Sequence, residues 1–593
     1  MARNKFDIDE SLESPFNIQH LKRSLIYVKK YKGKMILALV FSLFSVIAAL
    51  FGPLIIQEAL DVAVVNRDVP YLIFLVVLLA LSIGVSILLN VLRSRITAVV
   101  GQNIIYDIRQ DLFEHLQQLP FSYYDNRPHG KILVRVVQYV NNVSDMLSNG
   151  IINFFLEIFN LVFVTIFMFI ADARLALVIL AGLPILVLIV CLIMPVQRRA
   201  WQNFSNKNSN MNAYLHERIL GASVTQIFTR EKINAGIAYK QFHNCRKSFL
   251  HAVFVSNWIW FSVEVISAIV NASVYGVGIL AITPMVTFGT IIAMGDYSWR
   301  FWRPIINLAN LYNNLINTVA YLERIFETID EPVDIKDAPD AKVLPTIRGE
   351  VEFKDVVFEY DPGHPILNHM NFKVKAGESI ALVGPTGAGK TTVINLISRF
   401  YDISSGQVLI DGRDISKATL HSLRSQMGVM LQDSFVFSGN IIDNIRYGKL
   451  DATYEEVVAA AKMVKADEFI QTMEKGYHTE VNERGSRLSQ GQKQLISFAR
   501  TLIADPKILI LDEATSSIDT KTERLMQEGL NELMKGRTSF IIAHRLSTIQ
   551  HCDRIMYIDG GIIQESGTHE ELLRKKGKYY ELYMSQREGV EAL

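Results

Sequence analysis

At 593 residues the chain exceeds the usual size of one domain, and half of it is hydrophobic while a fifth is charged; this excludes a single small soluble domain and fits a membrane part joined to a soluble part. The formal charge of +1, with no strongly basic domain, excludes nucleic acid as the main partner. Cys191, Cys245 and Cys552 stand far apart and outside any CxxC pairing, which excludes a disulfide framework and a zinc site and fits a reduced cytosolic face.

Residues 1–34 are read as a cytoplasmic N-terminal segment or elbow: MARNKFDIDESLESP carries acids and no apolar core, unlike a secretory signal or a transit peptide. A first uncharged run covers Met35 to Ile56 and a second Tyr71 to Leu92. Each is long enough to cross roughly 30 Å of hydrocarbon. Ile151 to Ala171, interrupted only by Glu157, predicts a third span, and Leu175 to Val196, after a short turn with Asp172 and Arg174, a fourth. The stretch from Ala252 to about Met294 is too long for one helix, and Thr283 to Gly289 (TPMVTFG) breaks it. The last two spans are placed at 252–282 and 288–310.

Basic residues set the orientation. Lys22, Arg23, Lys29, Lys30, Lys32 and Lys34 precede the first span, and the segment between spans four and five is rich in Lys and Arg. The short alternate loops hold only Arg67 and Arg174. The positive-inside rule then puts both termini and both long loops in the cytoplasm. These loops, about 93–150 and 197–251, show helical spacing in runs such as IIYDIRQDLFEHLQQL, which predicts that the spanning helices extend into the cytoplasm. Turns are expected near Phe121–His129 and Met211–Glu217.

The expected division is a six-helix membrane domain over 35–325, a linker over 326–347 and a soluble α/β domain over 348–593. In the last, an apolar strand (SIALV) runs into Gly384-Pro385-Thr386-Gly387-Ala388-Gly389-Lys390-Thr391-Thr392 and then a helical pattern. This strand–loop–helix setting gives the GxxxxGK[ST] match its meaning as a phosphate loop. Glycines let backbone N–H groups close around phosphate oxygens at a helix N-terminus. Lys390 is assigned to the β- and γ-phosphates and the Thr391 hydroxyl to Mg²⁺. In KILILDEATSSID a buried strand ends in Asp512, placed to hold Mg²⁺. Glu513 follows as general base or polariser of the attacking water. Two acids at a strand end are often merely structural; beside a phosphate loop that reading loses ground.

The order of these motifs resembles the ATP-binding cassette (ABC) transporters. The resemblance implies ATP with Mg²⁺ as cofactor, Tyr360 stacked on adenine, and Gln432 as a Q-loop glutamine that touches Mg²⁺. Leu488-Ser489-Gln490-Gly491-Gln492 corresponds to the LSGGQ signature, through which Ser489, Gly491 and Gln492 serve nucleotide held by the opposite subunit. Ser516 to Asp519 corresponds to the D-loop, His544 to the switch histidine, and Glu483 to a loop that meets the inner turns. Lys390, Glu513 and His544 are then the catalytic residues, and Thr391, Gln432 and Asp512 the metal-binding ones. Six helices ahead of the cassette resemble a multidrug- or lipid-exporting half-transporter in the plasma membrane.

Two positions depart from the family pattern: Asn482 and Gln490 replace glycines. Gln490 either weakens the composite site completed in the partner or is a tolerated variant. A second half-transporter is required as partner, with a heterodimer preferred to a homodimer, alongside membrane lipids and a hydrophobic or amphipathic small molecule. Export of such compounds is the leading reading; lipid flipping and an ATP-gated channel are the alternatives. Asp296, Glu157 and Glu264 interrupt apolar spans, where charge is costly. Arg300, four residues on, offers Asp296 an ion pair; cation recognition and a proton or gating role are the other readings. Trp258, Trp260, Trp299 and Trp302 are candidates for an aromatic cavity or for lipid contact.

Overall fold

The computed structural model describes residues 18–591 apart from 126, 128, 282–285, 362, 431–433, 483–484, 513–519 and 543–548. It divides into two compact units, one of Met1–Gln117 with His129–Glu331 and one of Gln118–Pro128 with Pro332–Leu593.

The first unit is helical. A short amphipathic helix, α1 (Ile18–Lys30), precedes α2 (Lys32–Glu58), which continues as a π-helical turn over Ala59–Val64. The 50-residue α3 (Val69–Gln118) spans about 75 Å at 1.5 Å per residue. Beyond a five-residue helix of the second unit, α4 (Phe121–Asp125), the chain re-enters through α5 (His129–Val134), α6 (Val140–Asp145) and α7 (Ile151–Ala171). The Asp172 carboxylate accepts the backbone N–H groups of Arg174 and Leu175 and starts α8 (Ala173–Leu220); such a cap satisfies amides a helix start leaves open. The short α9 (Ala222–Ile227), α10 (Glu231–Gly276) and α11 (Phe288–Ile329) complete the unit.

Among the described residues, five helical runs are long and apolar enough to cross a membrane: Lys32–Val64, Val69–Gln118, Ile132–Ala171, Ala173–Leu220 and Glu231–Leu280. The 42-residue α11 is the sixth long helix; Asp296, Arg300, Arg303 and several asparagines interrupt its apolar run. The helices do run on past the predicted spans, as their apolar spacing anticipated. The second inner turn lies later than expected. Met211–Glu217 is inside α8, and the chain turns at Gly221, because the Tyr214 hydroxyl donates to the Asn234 carbonyl (3.0 Å) and holds α8 to α10 through that segment. The break expected at Thr283–Gly289 lies partly outside the described residues. Thr287 caps α11.

The core of this unit joins α2, α7, α8, α10 and α11 around Tyr297, Phe301 and Trp302. Gly182 makes room for it: a Cβ there would lie 2.7 Å from Val270 Cγ2 and 3.0 Å from the Trp302 ring. The Asp296–Arg300 pair forms at 3.0 Å, and Glu157 accepts from Asn307 at 2.7 Å.

The second unit carries two main sheets. In one, β1 (Val351–Glu359), β2 (Pro365–Val374), β4 (Ser405–Ile410) and β5 (Arg413–Asp414) run antiparallel in the order β2-β1-β4-β5. The other contains β3 (Ser379–Val383), β6 (Met427–Met430), β9 (Ile508–Asp512), β10 (Thr538–Ile542), β11 (Arg554–Asp559) and β12 (Ile562–Gly567). Its order is β12-β11-β3-β10-β9-β6, with β7 (Gly439–Asn440) and β8 (Glu480–Val481) forming a separate ribbon. Strands β3, β10, β9 and β6 are near-continuous apolar runs paired in parallel, the pattern of strands buried on both faces. Residues 326–329 belong to α11. Leu344 and Ile347 are buried in the second unit's core, and their N–H groups donate to Ser422 Oγ and Gln426 Oε1 at 3.0 and 2.9 Å.

Candidate nucleotide site

Register in the parallel sheet assembles the site. Ile542 on β10 pairs with Leu382 on β3 and with Asp512 on β9, so these three residues form one row across the carboxyl ends of the strands. In open α/β sheets that edge is where ligands bind. Strand β3 leads one residue beyond the row into the phosphate loop, and β10 leads into the segment that carries His544.

The loop folds as its glycines demand. Gly384 has φ +144°, and a Cβ there would sit 2.0 Å from the Ile558 carbonyl oxygen. Gly389 has φ +101°, and its Cβ would meet Leu367 Cδ2 at 2.7 Å. Gly387, with φ +83°, faces open space. The Ala388 N–H donates to the Pro385 carbonyl at 3.2 Å, and Gly389 caps the eight-residue helix α12 (Lys390–Ile397).

Lys390 is only 8 % exposed. Its Nζ donates to the carbonyls of Gly384 and Pro385, both at 2.8 Å, which satisfies two of an ammonium's three donors. Burial pulls its pKa below the usual lysine value, and the Asp512 carboxylate opposes that pull. A buried ammonium with a carboxylate nearby at an open strand edge suits bound phosphate, which would complete its charge balance. Thr391 is exposed and Thr392 buried. Tyr360 lies 46 % exposed, its hydroxyl 3.2 Å from Thr392 Oγ1. Tyr360, Lys390, Thr392 and Asp512 are therefore brought together.

Ser489 lies elsewhere in the unit. It caps the helix Gln490–Ile503 through a capping box: its hydroxyl accepts from the Gln492 N–H (3.3 Å), and its own N–H donates to Gln492 Oε1 (2.9 Å). Gln490 is exposed and Gly491 buried at that helix start. No described hydrogen bond joins Ser489, Gly491 or Gln492 to the phosphate loop. Gln432, Glu483, Glu513, Ser516 to Asp519 and His544 lie outside the described residues.

One functional neighbour escaped the sequence reading. Tyr401, just after α12, packs edge-on to Tyr360 with centroids 5.1 Å apart and donates its hydroxyl to Asp125 at 3.1 Å. Burial, then Asp125, pushes the Tyr401 pKa up. Next to it Phe400 stacks on Phe121, with centroids at 5.4 Å. The adjacent aromatic pair is the available signal, but Asp125 and Phe121 are about 280 residues away in sequence.

Residues 35–298 match the family model described as the ABC transporter transmembrane region, and 367–516 the model described as ABC transporter. The chain is 42% identical over 595 residues to the uncharacterized ABC transporter ATP-binding protein YknV of Bacillus subtilis, covering 99% of this chain and 98% of that one. It is 37% identical over 580 residues to a putative multidrug export ATP-binding/permease protein of Staphylococcus aureus, covering 95% and 100%. A solved bacterial Atm1-family ABC exporter with ATP bound superposes with a TM-score of 0.78 at 28% identity, over 94% of this chain and 98% of that one. The chain belongs to the ABC transporter family: it is a multi-pass membrane protein of exporter type, with an ATP-hydrolysing domain that drives small molecules across a membrane.

Proposed function

We propose that this chain is one half of a dimeric exporter of hydrophobic or amphipathic compounds, working by alternating access from the plasma membrane. What carries the reading is buried Lys390, held by the Gly384 and Pro385 carbonyls at the sheet edge that ends in Asp512, in a chain with five membrane-length helices among its described residues. On this reading α11 is the sixth span, and both termini and the nucleotide-binding domain are cytoplasmic. Tyr360 stacks on the base, and Lys390 and the loop amides hold the phosphates. Thr391, Gln432 and Asp512 would hold Mg²⁺, which would supply neutralisation of the charge on the phosphate oxygens. Glu513 orients and polarises the attacking water, and His544 senses the terminal phosphate.

The need for a second chain rests on two kinds of observation. Ser489 and Gln490 are exposed at a helix N-terminus that no described hydrogen bond joins to the chain's own phosphate loop, and anions favour such an end. The α9 region also leaves Leu220, Ile227 and Phe228 about 70 % exposed, an apolar tip that calls for cover. A non-identical partner is preferred because Gln490 departs from glycine in the element offered to that partner.

Substituting Glu513→Gln in the purified native complex should leave ATP bound and stop steady-state transport in inside-out vesicles. Unchanged transport would refute the assignment of Glu513. Mass analysis of the same complex decides its partner.

A further inference from the structure

Exposed residues on α3 are apolar through the membrane-length segment, among them Phe74, Val77, Leu81, Ile87 and Leu88. The exposed face of α11 is of a different kind. Arg300, Arg303, Asn307, Asn310, Asn314 and Asn317 recur every three or four positions, which aligns them along one side of a helix. Arg303, Asn310, Asn314 and Asn317 are exposed. Charge is costly in hydrocarbon, so this face meets water, a ligand or another chain.

Most charges in the spans are accounted for: Asp296 by Arg300, Glu157 by Asn307, and Arg93 by Asn90 and Asn153. Glu264 on α10 and Arg303 on α11 remain. Both are exposed, and neither hydrogen-bonds or pairs with a described residue.

The two helices run antiparallel side by side. A Cβ on Gly278, in the π-helical turn Val277–Ala281 that continues α10, would lie 3.0 Å from Ile291 Cγ1, and one on Gly295 would lie 2.5 Å from the Tyr275 hydroxyl. Carried along both helices at equal rise, this register sets Glu264 level with Ile306, so Arg303 lies about 5 Å further along the axis. Each charge also has an exposed tryptophan four residues before it, Trp260 at 55 % and Trp299 at 52 %. Two opposite charges, neither paired with a described residue, thus stand about one helical turn apart along the axis, each four residues after an exposed tryptophan.

We propose that this stretch of α10 and α11 recognises a zwitterionic amphiphile, with Glu264 facing its cationic group, Arg303 its anionic group, and the two indole rings its apolar body. The inference rests on the exporter reading and narrows its substrate class. A membrane lipid headgroup and a free zwitterionic compound share this chemistry.

The test uses the complete complex in nanodiscs, with ATPase stimulation and transport measured for three octyl amphiphiles: octylphosphocholine, octyltrimethylammonium and octyl phosphate. Wild type should respond at the lowest concentration to the zwitterion. Glu264→Gln should move the preference at least tenfold toward octyl phosphate, and Arg303→Gln at least tenfold toward octyltrimethylammonium, while Arg303→Lys keeps the wild-type order. Headgroup-labelled phosphatidylcholine in proteoliposomes separates the sources: its movement assigns a lipid, and movement of octylphosphocholine alone assigns a free compound. Transport without charge preference, or the same order in every variant, overturns this inference alone. Dissociation of the complex on either glutamine substitution also overturns it, by giving the charges to the partner chain. Failure of wild type to move any amphiphile would instead sink the exporter reading.

Discussion

The hydroxyl of Tyr401 donates to the Asp125 carboxylate at 3.1 Å, and the same ring sits edge-on to Tyr360. The first inner turn is thereby joined, through one side chain, to the aromatic proposed to stack on the nucleotide base. Tyr401→Phe keeps the ring contact and removes the hydrogen bond, at a stability cost of about 0.5–1.5 kcal/mol. Basal ATPase should change less than about twofold, while stimulation by a transported compound should drop severalfold, since only the link to the turn is lost. Equal losses in both rates would show that the tyrosine merely supports the base site.

Lys390 sits between two carbonyl oxygens 2.8 Å from its ammonium. That cradle matches a compact point charge and not the planar fork of arginine. Both Lys390→Ala and Lys390→Arg are expected to lower steady-state ATPase by at least about 100-fold, a loss of about 2.7 kcal/mol in transition-state stabilisation. Near-wild-type turnover by the arginine variant would refute the geometric argument.

The glycines of the phosphate loop should differ in what they tolerate. Gly384→Ala drives a Cβ to within 2.0 Å of a backbone carbonyl, which no side-chain movement relieves, so the cassette should lose its cooperative thermal transition. Gly387→Ala meets nothing within 4 Å and pays only for a left-handed backbone, about 1–2 kcal/mol. Differential scanning calorimetry of the two variants should rank them in that order.

Gln490 begins a helix and is not among the residues with positive φ, so its backbone does not need glycine. Gln490→Gly should therefore alter ATPase of the complex less than about threefold. Ser489→Ala removes the cap and should destabilise the helix by about 1 kcal/mol; on the proposed dimer reading, in which the hydroxyl serves the partner's nucleotide, the ATPase loss should be much larger. A large gain from Gln490→Gly would mean that the side chain, and not the backbone, limits the shared site.

In the membrane unit, Arg300 bonds to Asp296 and also donates to the Ala49 carbonyl at 3.2 Å. Pro53 lies four residues further along α2 and has no N–H to offer that carbonyl. Arg300→Gln should lower the thermal midpoint of the complex more than Arg300→Gln combined with Asp296→Asn, because the single change strands a carboxylate. The reverse order would show that the pair contributes nothing.

Local chemistry made much of this chain legible from sequence. The apolar runs, the strand–loop–helix around Lys390 and the strand ending in Asp512 each follow from residues close together in the chain, where hydropathy and backbone freedom act directly. The sequence also paired Asp296 with Arg300, since four residues is one helical turn. Tertiary structure decided what depends on distant chain segments meeting. It placed the second turn at Gly221, where the Tyr214–Asn234 bond holds α8 helical past Met211–Glu217. It set Leu382, Ile542 and Asp512 in one row and Tyr401 between Asp125 and Tyr360. It also left Glu264 and Arg303, on neighbouring antiparallel helices, without partners among the described residues. Periodicity fixes which face of a helix a residue occupies, but packing alone fixes what that face meets.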